Sequence, residues 1–155
     1  MKYNETTILV YADWEFLGEA QFLGFLTSQR VRGKEVFSFE YAETWLNNQN
    51  PILYLDPHLG FYRGKQYLPE EKNNFGIFLD SSPDRWGRLL MRRREAWQAK
   101  VEGRDQRTLF ESDYLLGVFD EHRLGALRFK LNPDGEFMND QRKMATPPWT
   151  SLREL

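Results

Sequence analysis

The side chains able to do acid, base or metal chemistry are sparse in this sequence, which holds two histidines, His58 and His122, and no cysteine. Neither histidine has a ligand partner four residues away or an HxxEH neighbourhood, so each reads as a loop or turn residue rather than a zinc ligand or general base. Glu70 and Glu71 stand beside Lys72 in a polar stretch, where solvated surface charge is the simplest account. No Ser/His/Asp combination rises above what two histidines and several serines supply by chance. A phosphate loop of the GxxxxGK[ST] or GxGxxG kind is missing, as is an Asp-centred catalytic loop followed by a second metal ligand. The sequence therefore assigns no catalytic, cofactor-binding or metal-ligating residue, and the chain is read as not an enzyme. What it offers instead is arginine at helical spacing: Arg85, Arg88 and Arg92 line one stripe, either as a solvated face or as a surface for a partner.

That stripe needs a helix to present it, and the segment FLDSSPDRWGRLLMRRREA from Phe78 to Ala96 supplies the start signal. Ser82 is a suitable N-cap, Pro83 suits the first helical position, and Asp84 places a negative charge at the positive end of the dipole. Trp86, Leu89, Leu90 and Trp97 then form an apolar face beside the arginines. Arg93 falls in the centre of that face, where an unpaired charge is costly. The sequence predicts a carboxylate, backbone or aromatic partner for it, with its aliphatic stem under the tryptophans. A narrower apolar stripe with Arg93 in water is the alternative.

Upstream, Ile8, Val10, Phe16, Leu17, Phe22, Leu23 and Phe25 sit in strand-favouring surroundings, and Trp14 with Gly18 marks a turn or bulge. Gln29 to Lys34 is a hairpin loop containing Gly33, returning through Val36, Phe37, Phe39 and Tyr41. Ala42 to Asn48 is one or two helical turns anchored by Trp45 and Leu46. Pro51 to Pro69, rich in aromatics (Tyr54, Phe61, Tyr62, Tyr67), reads as an irregular loop that either packs over a sheet edge or forms a recognition surface, with self-packing favoured. Thr108 and Glu111 make a capping-box pattern ahead of a helix through Tyr114, Leu115, Leu116 and Phe119. Leu124 to Leu131 alternates as a strand and Asn132-Pro133-Asp134-Gly135 is a turn. The fold class expected is α+β, a twisted antiparallel meander with two or three helices packed on it.

Length and composition bound the function classes. One hundred and fifty-five residues with 41% apolar content suit one folded module, and a formal charge of −2 denies the chain the global basicity of a dedicated nucleic-acid binder. Absence of cysteine and of any long apolar run fits a cytoplasmic protein without a membrane partner. At the other end Pro147 and Pro148 precede Trp149, and Thr150 or Ser151 as N-cap announces a helix at Leu152 to Leu155 that is too short to nucleate by itself. The expected division is 1–131 as the folded lobe and 132–155 as a linker and the start of a truncated helix.

Five pieces in order resemble the N-terminal lobe of HipA-like proteins, the serine/threonine kinase toxins of bacterial toxin–antitoxin pairs: ILVYADWEFLGEAQFLG, VFSFEYAETWL, NNFGIFLDSSPDRWGRLLMRRREA, YLLGVFDEHRLGALRF and PPWTSLREL. Where many relatives carry a Leu-Leu-Pro-acidic turn, this chain has Phe78 to Ser82 before Pro83. The resemblance implies a non-catalytic module that shapes one edge of the kinase cleft. Its implied partners are the kinase domain, a HipB-like DNA-binding antitoxin, or a second copy of the chain. ATP and Mg would belong to the parent kinase domain, and direct nucleic-acid binding is not expected. A stand-alone antitoxin that binds a separate kinase is the second reading. Phe61, Tyr62, Arg85, Arg88, Arg92 and Trp149 are the candidate contact residues.

Overall fold

In the computed structural model the described residues are 4–14, 17–48, 55–69, 71–118, 127–135 and 137. Three long strands, β1 (Asn4–Ala12), β2 (Gln21–Val31) and β3 (Lys34–Tyr41), form the meander. With β4 (Gln66–Tyr67) and β5 (Leu127–Lys130) they give a five-stranded antiparallel sheet of order β4-β3-β2-β1-β5. The β2–β3 connection is tighter than the sequence suggested. Val31 pairs directly with Lys34, and Arg32 and Gly33 both take positive φ (51° and 78°), the mirror-image turn whose twist matches the strands.

Alternation places Ile8, Val10 and Ala12 of β1, and Phe37 and Phe39 of β3, in one core with Leu23 and Leu26. The register shifts between Val10 and Tyr11, which pair with Gly24 and Phe22, leaving Leu23 as the extra residue of a bulge. Gly24 is required there. A Cβ would sit 2.2 Å from the carbonyl oxygen of Glu40. The expected turn at Trp14 is present, with the N–H of Leu17 donating to the Trp14 carbonyl at 2.9 Å.

Four helices are present among the described residues, against two or three expected: α1 (Glu43–Asn47), α2 (Gly76–Asp80), α3 (Arg85–Glu102) and α4 (Glu111–Gly117). In α1 Trp45 is the buried anchor and its ring lies 6.0 Å from that of Trp14. The additional element is α2, which sets Phe75 and Phe78 against Phe39 at 6.4 and 5.6 Å.

That short helix also moves the start of α3. The hydroxyl of Ser82 donates back to the Phe78 carbonyl at 2.9 Å, so it is spent on the end of α2 and cannot cap. Asp84 is the N-cap instead, its Oδ1 accepting the Gly87 N–H at 2.8 Å, and Pro83 stands before it rather than inside the helix. At the other end Gly103 takes the left-handed conformation (φ 65°) and the Arg104 N–H reaches the Ala99 carbonyl at 3.0 Å.

Two further expectations change. Thr108 does not cap α4: the N-cap is Phe110, whose N–H donates to the Asp113 carboxylate at 2.9 Å, while Glu111 is drawn to α3. The 51–69 segment contributes β4, which pairs with Ser38 and Phe39 at the sheet edge. The turn at 132–135 is present, closed by Gly135 N–H to Asn132 carbonyl at 3.0 Å. Phe137 packs edge-on against Tyr11 at 5.2 Å and under Arg128 at 3.7 Å, so the chain beyond the turn still meets the sheet. Phe16, Tyr54, Glu70, Phe119, His122, Leu124 and the segment 138–155, including Trp149 and the announced final helix, lie outside the described residues.

Candidate interaction surfaces

The arginine stripe divides. Arg88 turns inward and forks onto Glu111 of α4, with its two terminal nitrogens donating to the two carboxylate oxygens at 2.8 and 2.9 Å. Its Nε donates to the Pro83 carbonyl at 3.2 Å, and its guanidinium lies 4.7 Å from the Tyr114 ring centroid. Arg92 follows one turn later and donates to the Tyr114 hydroxyl at 3.3 Å. Planar bidentate pairing of this kind orients two elements as well as attracting them. The helices come close enough that a side chain at Gly117 would collide with the Met91 terminus. Arg88 therefore joins α3 to α4, exposed Arg92 adds one contact to Tyr114, and Arg85 is exposed with no such contact among the described residues.

A second joint fastens α4 to the β2–β3 hairpin. Glu35 accepts from the Ser28 hydroxyl at 2.6 Å, from the Ser112 hydroxyl at 2.5 Å and from the Ser112 N–H at 3.0 Å. Arg30 lies over the Phe110 ring at 3.9 Å and approaches Asp113 at 3.7 Å. Beside this joint runs an open groove of about 760 Å³ lined by Val31, Val36, Leu68, Lys72, Phe110 and Tyr114.

Phe61 and Tyr62 are elsewhere. Phe61 packs 5.6 Å from the Tyr41 ring, at the opposite end of β3 from Glu35, so the structure does not unite the aromatic loop with the arginines. The loop is tied down by its own polar groups. The Gln66 side chain donates to the Gly60 carbonyl at 2.7 Å and accepts the Gly60 N–H at 2.8 Å. The buried carboxylate of Asp56 accepts the N–H groups of His58 and Ile77 at 2.8 and 2.9 Å, joining the loop to the start of α2. Burial, and secondarily the charge of Asp56, pushes the Tyr41 hydroxyl up to about 12. Self-packing thus accounts for Leu59 and Gln66, and Tyr62 remains on the outside with 56% of its surface exposed.

The remaining surface is the outward side of α3. At 100° per residue Trp86, Arg93, Trp97 and Val101 fall within a sector of about 80°. Leu90, in the same sector, is buried, and the inward side carries Gly87, Glu95 and Ala99. Trp86 is 36% exposed, Trp97 67% and Val101 65%. Arg93 points to solvent with no partner among the described residues, so the narrower apolar stripe holds and the pairing expected for it does not. Glu95, one turn beyond Met91 and buried on the inward side, is held well below the usual carboxylate range, at about 2. The cause is first its hydrogen bond from Arg104 at 2.6 Å and then that from the Arg107 N–H at 3.0 Å.

No family model, curated protein sequence or solved structure matches this chain. Its own geometry therefore carries the argument. Among the described residues no group of three or more His, Cys, Asp or Glu could hold a metal ion, and no helix is long and apolar enough to cross a membrane. His58 is exposed on its loop. Sequence reasoning overlooked Glu35, Asp56 and Glu95, three carboxylates that tie separate segments together. Glu35, at the tip of a strand whose core face continues as Phe37 and Phe39, was the readable signal.

Proposed function

We propose that the chain is a non-catalytic binding lobe of the HipA-like kind, contributing contact surface to a serine/threonine kinase domain. The observation that carries this is the outward face of α3. A helix following the SSPDRW signature leaves two tryptophans and a valine in water on one stripe while Arg88 and Glu95 of its inward side are paired. Large apolar side chains clustered in this way mark surfaces that another molecule covers. Four of the five motifs that resemble the family fall, over their described residues, on elements of one α+β structure, which supports reading them together, and the fifth lies outside the described residues.

In this role the lobe positions and occludes rather than reacts. Purified chain is expected to transfer no phosphate from ATP to itself or to another protein. Mixed with the HipA-like kinase domain encoded in the same reading frame or beside it, the chain should form a complex that survives gel filtration. Phosphoryl transfer by the purified chain, with contaminating kinase excluded, overturns the proposal, as does failure to bind that kinase domain.

A further inference from the structure

Resting on the reading of α3 as a contact face, we infer that the stripe of Trp86, Arg93, Trp97 and Val101 takes an amphipathic helix whose apolar ridge is flanked by Asp and Glu. The exposed members of the stripe stand at i, i+7, i+11 and i+15, with buried Leu90 at i+4, which keeps them on one side of the helix over successive turns, and α3 is long enough, at 18 residues, to pair along that side. Its charge is one-sided. Arg93 and, at its edge, Lys100 have no ion pair or hydrogen bond from their side chains among the described residues. The acids of the same helix are already used, because Glu95 and Glu102 both close onto Arg104 at 2.6 Å. An incoming acidic flank therefore meets unspent cations, and no unpaired carboxylate of α3 repels it.

The same arrangement disfavours a second copy of the chain. Two-fold pairing through the stripe would bring its midpoint, at Arg93, against Arg93 of the other copy, burying like charges between the tryptophans. Nucleic acid would satisfy the cations but leave Trp97 and Val101 without an apolar counterpart. An acidic helix satisfies both sets of groups.

Two soluble peptides of about 18 residues, five helical turns, provide the test: one with a leucine ridge flanked by glutamates, one with the same ridge flanked by lysines. Each is titrated into the full chain while the indole N–H signals of the tryptophans are followed by NMR. The Leu/Glu peptide should bind about tenfold more tightly than the Leu/Lys peptide and shift the Trp86 and Trp97 signals. Arg93→Glu should abolish that preference, and Trp97→Ala should weaken binding with the fold intact. Equal affinity for both peptides, no binding of either, shifts confined to other tryptophans, or tighter binding of a DNA duplex than of the Leu/Glu peptide each overturn the inference. A chain that binds the Leu/Glu peptide but no HipA-like kinase domain would instead defeat the functional proposal alone. Conversely, a kinase complex indifferent to Arg93→Glu would defeat only the present inference.

Discussion

The two sides of α3 use arginine in opposite ways. On the inward side Arg88 is forked onto Glu111 and stacked on Tyr114, and exposed Arg92 reaches the Tyr114 hydroxyl, so both cations contact α4. On the outward side Arg93 stands between exposed tryptophans with no partner among the described residues. One helix thus carries a structural face and a free face, and helical periodicity alone cannot tell them apart because both mix arginine with large apolar groups. What separates them is the presence of α4, whose Glu111 and Tyr114 come from more than twenty positions along the chain.

The largest contrast is expected between apolar side chains of the same helix. Leu90→Ala should cost about 2 to 4 kcal/mol in denaturant unfolding because it opens a cavity in packed surroundings. Trp97→Ala should stay within about 0.5 kcal/mol. Equal losses would mean that the outward face is part of the core.

Next come the arginines. Arg88→Ala leaves the half-buried Glu111 without its partner and should cost about 2 kcal/mol, whereas Arg93→Ala should be nearly neutral, within about 0.5 kcal/mol. A double-mutant cycle of Arg88 and Glu111 checks that the loss belongs to the pair. Independent, additive effects would remove the inward joint from the account.

A smaller effect locates the start of the helix. Asp84→Ala should cost about 1 kcal/mol through the lost cap on Gly87, and Ser82→Ala less, since its hydroxyl serves α2 rather than α3. The reverse order would restore Ser82 as the cap.

Titration gives the finest distinction. Glu95 is held at about 2 in the folded chain, below its ordinary 4.5, so its contribution is present above the ordinary value and is lost as pH falls toward 2. Amide protection around Gly103 to Arg107, corrected for the intrinsic exchange rate at each pH, should fall over that interval, ahead of the core strands. Tyr41 works in the other direction. With its hydroxyl raised from 10 to about 12, its contribution is full below 10 and fades as pH rises to 12, so one tyrosine should ionise late in an absorbance titration.

Local signals in the sequence account for a good part of the fold. The meander through Ile8, Val10, Leu23, Phe37 and Phe39 follows from alternation, and Trp45 is readable as an anchor because it is a large apolar residue between a strand end and a Pro-terminated segment. The SSPDRW region announces a helix, though not its first residue, since the capture of the Ser82 hydroxyl by α2 is visible only once α2 exists. Five-residue helices and two-residue strands such as α2 and β4 are too short to show a period. The joints were hidden for a different reason: Glu35 and Ser112 are 77 positions apart, and Asp56 and Ile77 are 21 apart, so nothing local ties them together. Of the candidate contacts, Arg88 is a structural joint, exposed Arg92 adds one contact to Tyr114, Arg85, Phe61 and Tyr62 are on the surface in two separate places, and Trp149 lies outside the described residues.

The most direct test of the free-face account is the affinity of the chain for the kinase domain proposed as its partner, measured for the natural chain and for the Trp97→Ala, Arg93→Glu double variant, with thermal unfolding of each recorded alongside. The account predicts that the variant unfolds at nearly the same temperature and binds at least about tenfold more weakly, a loss on the order of 1.4 kcal/mol. Undiminished binding by a variant that unfolds normally would contradict it.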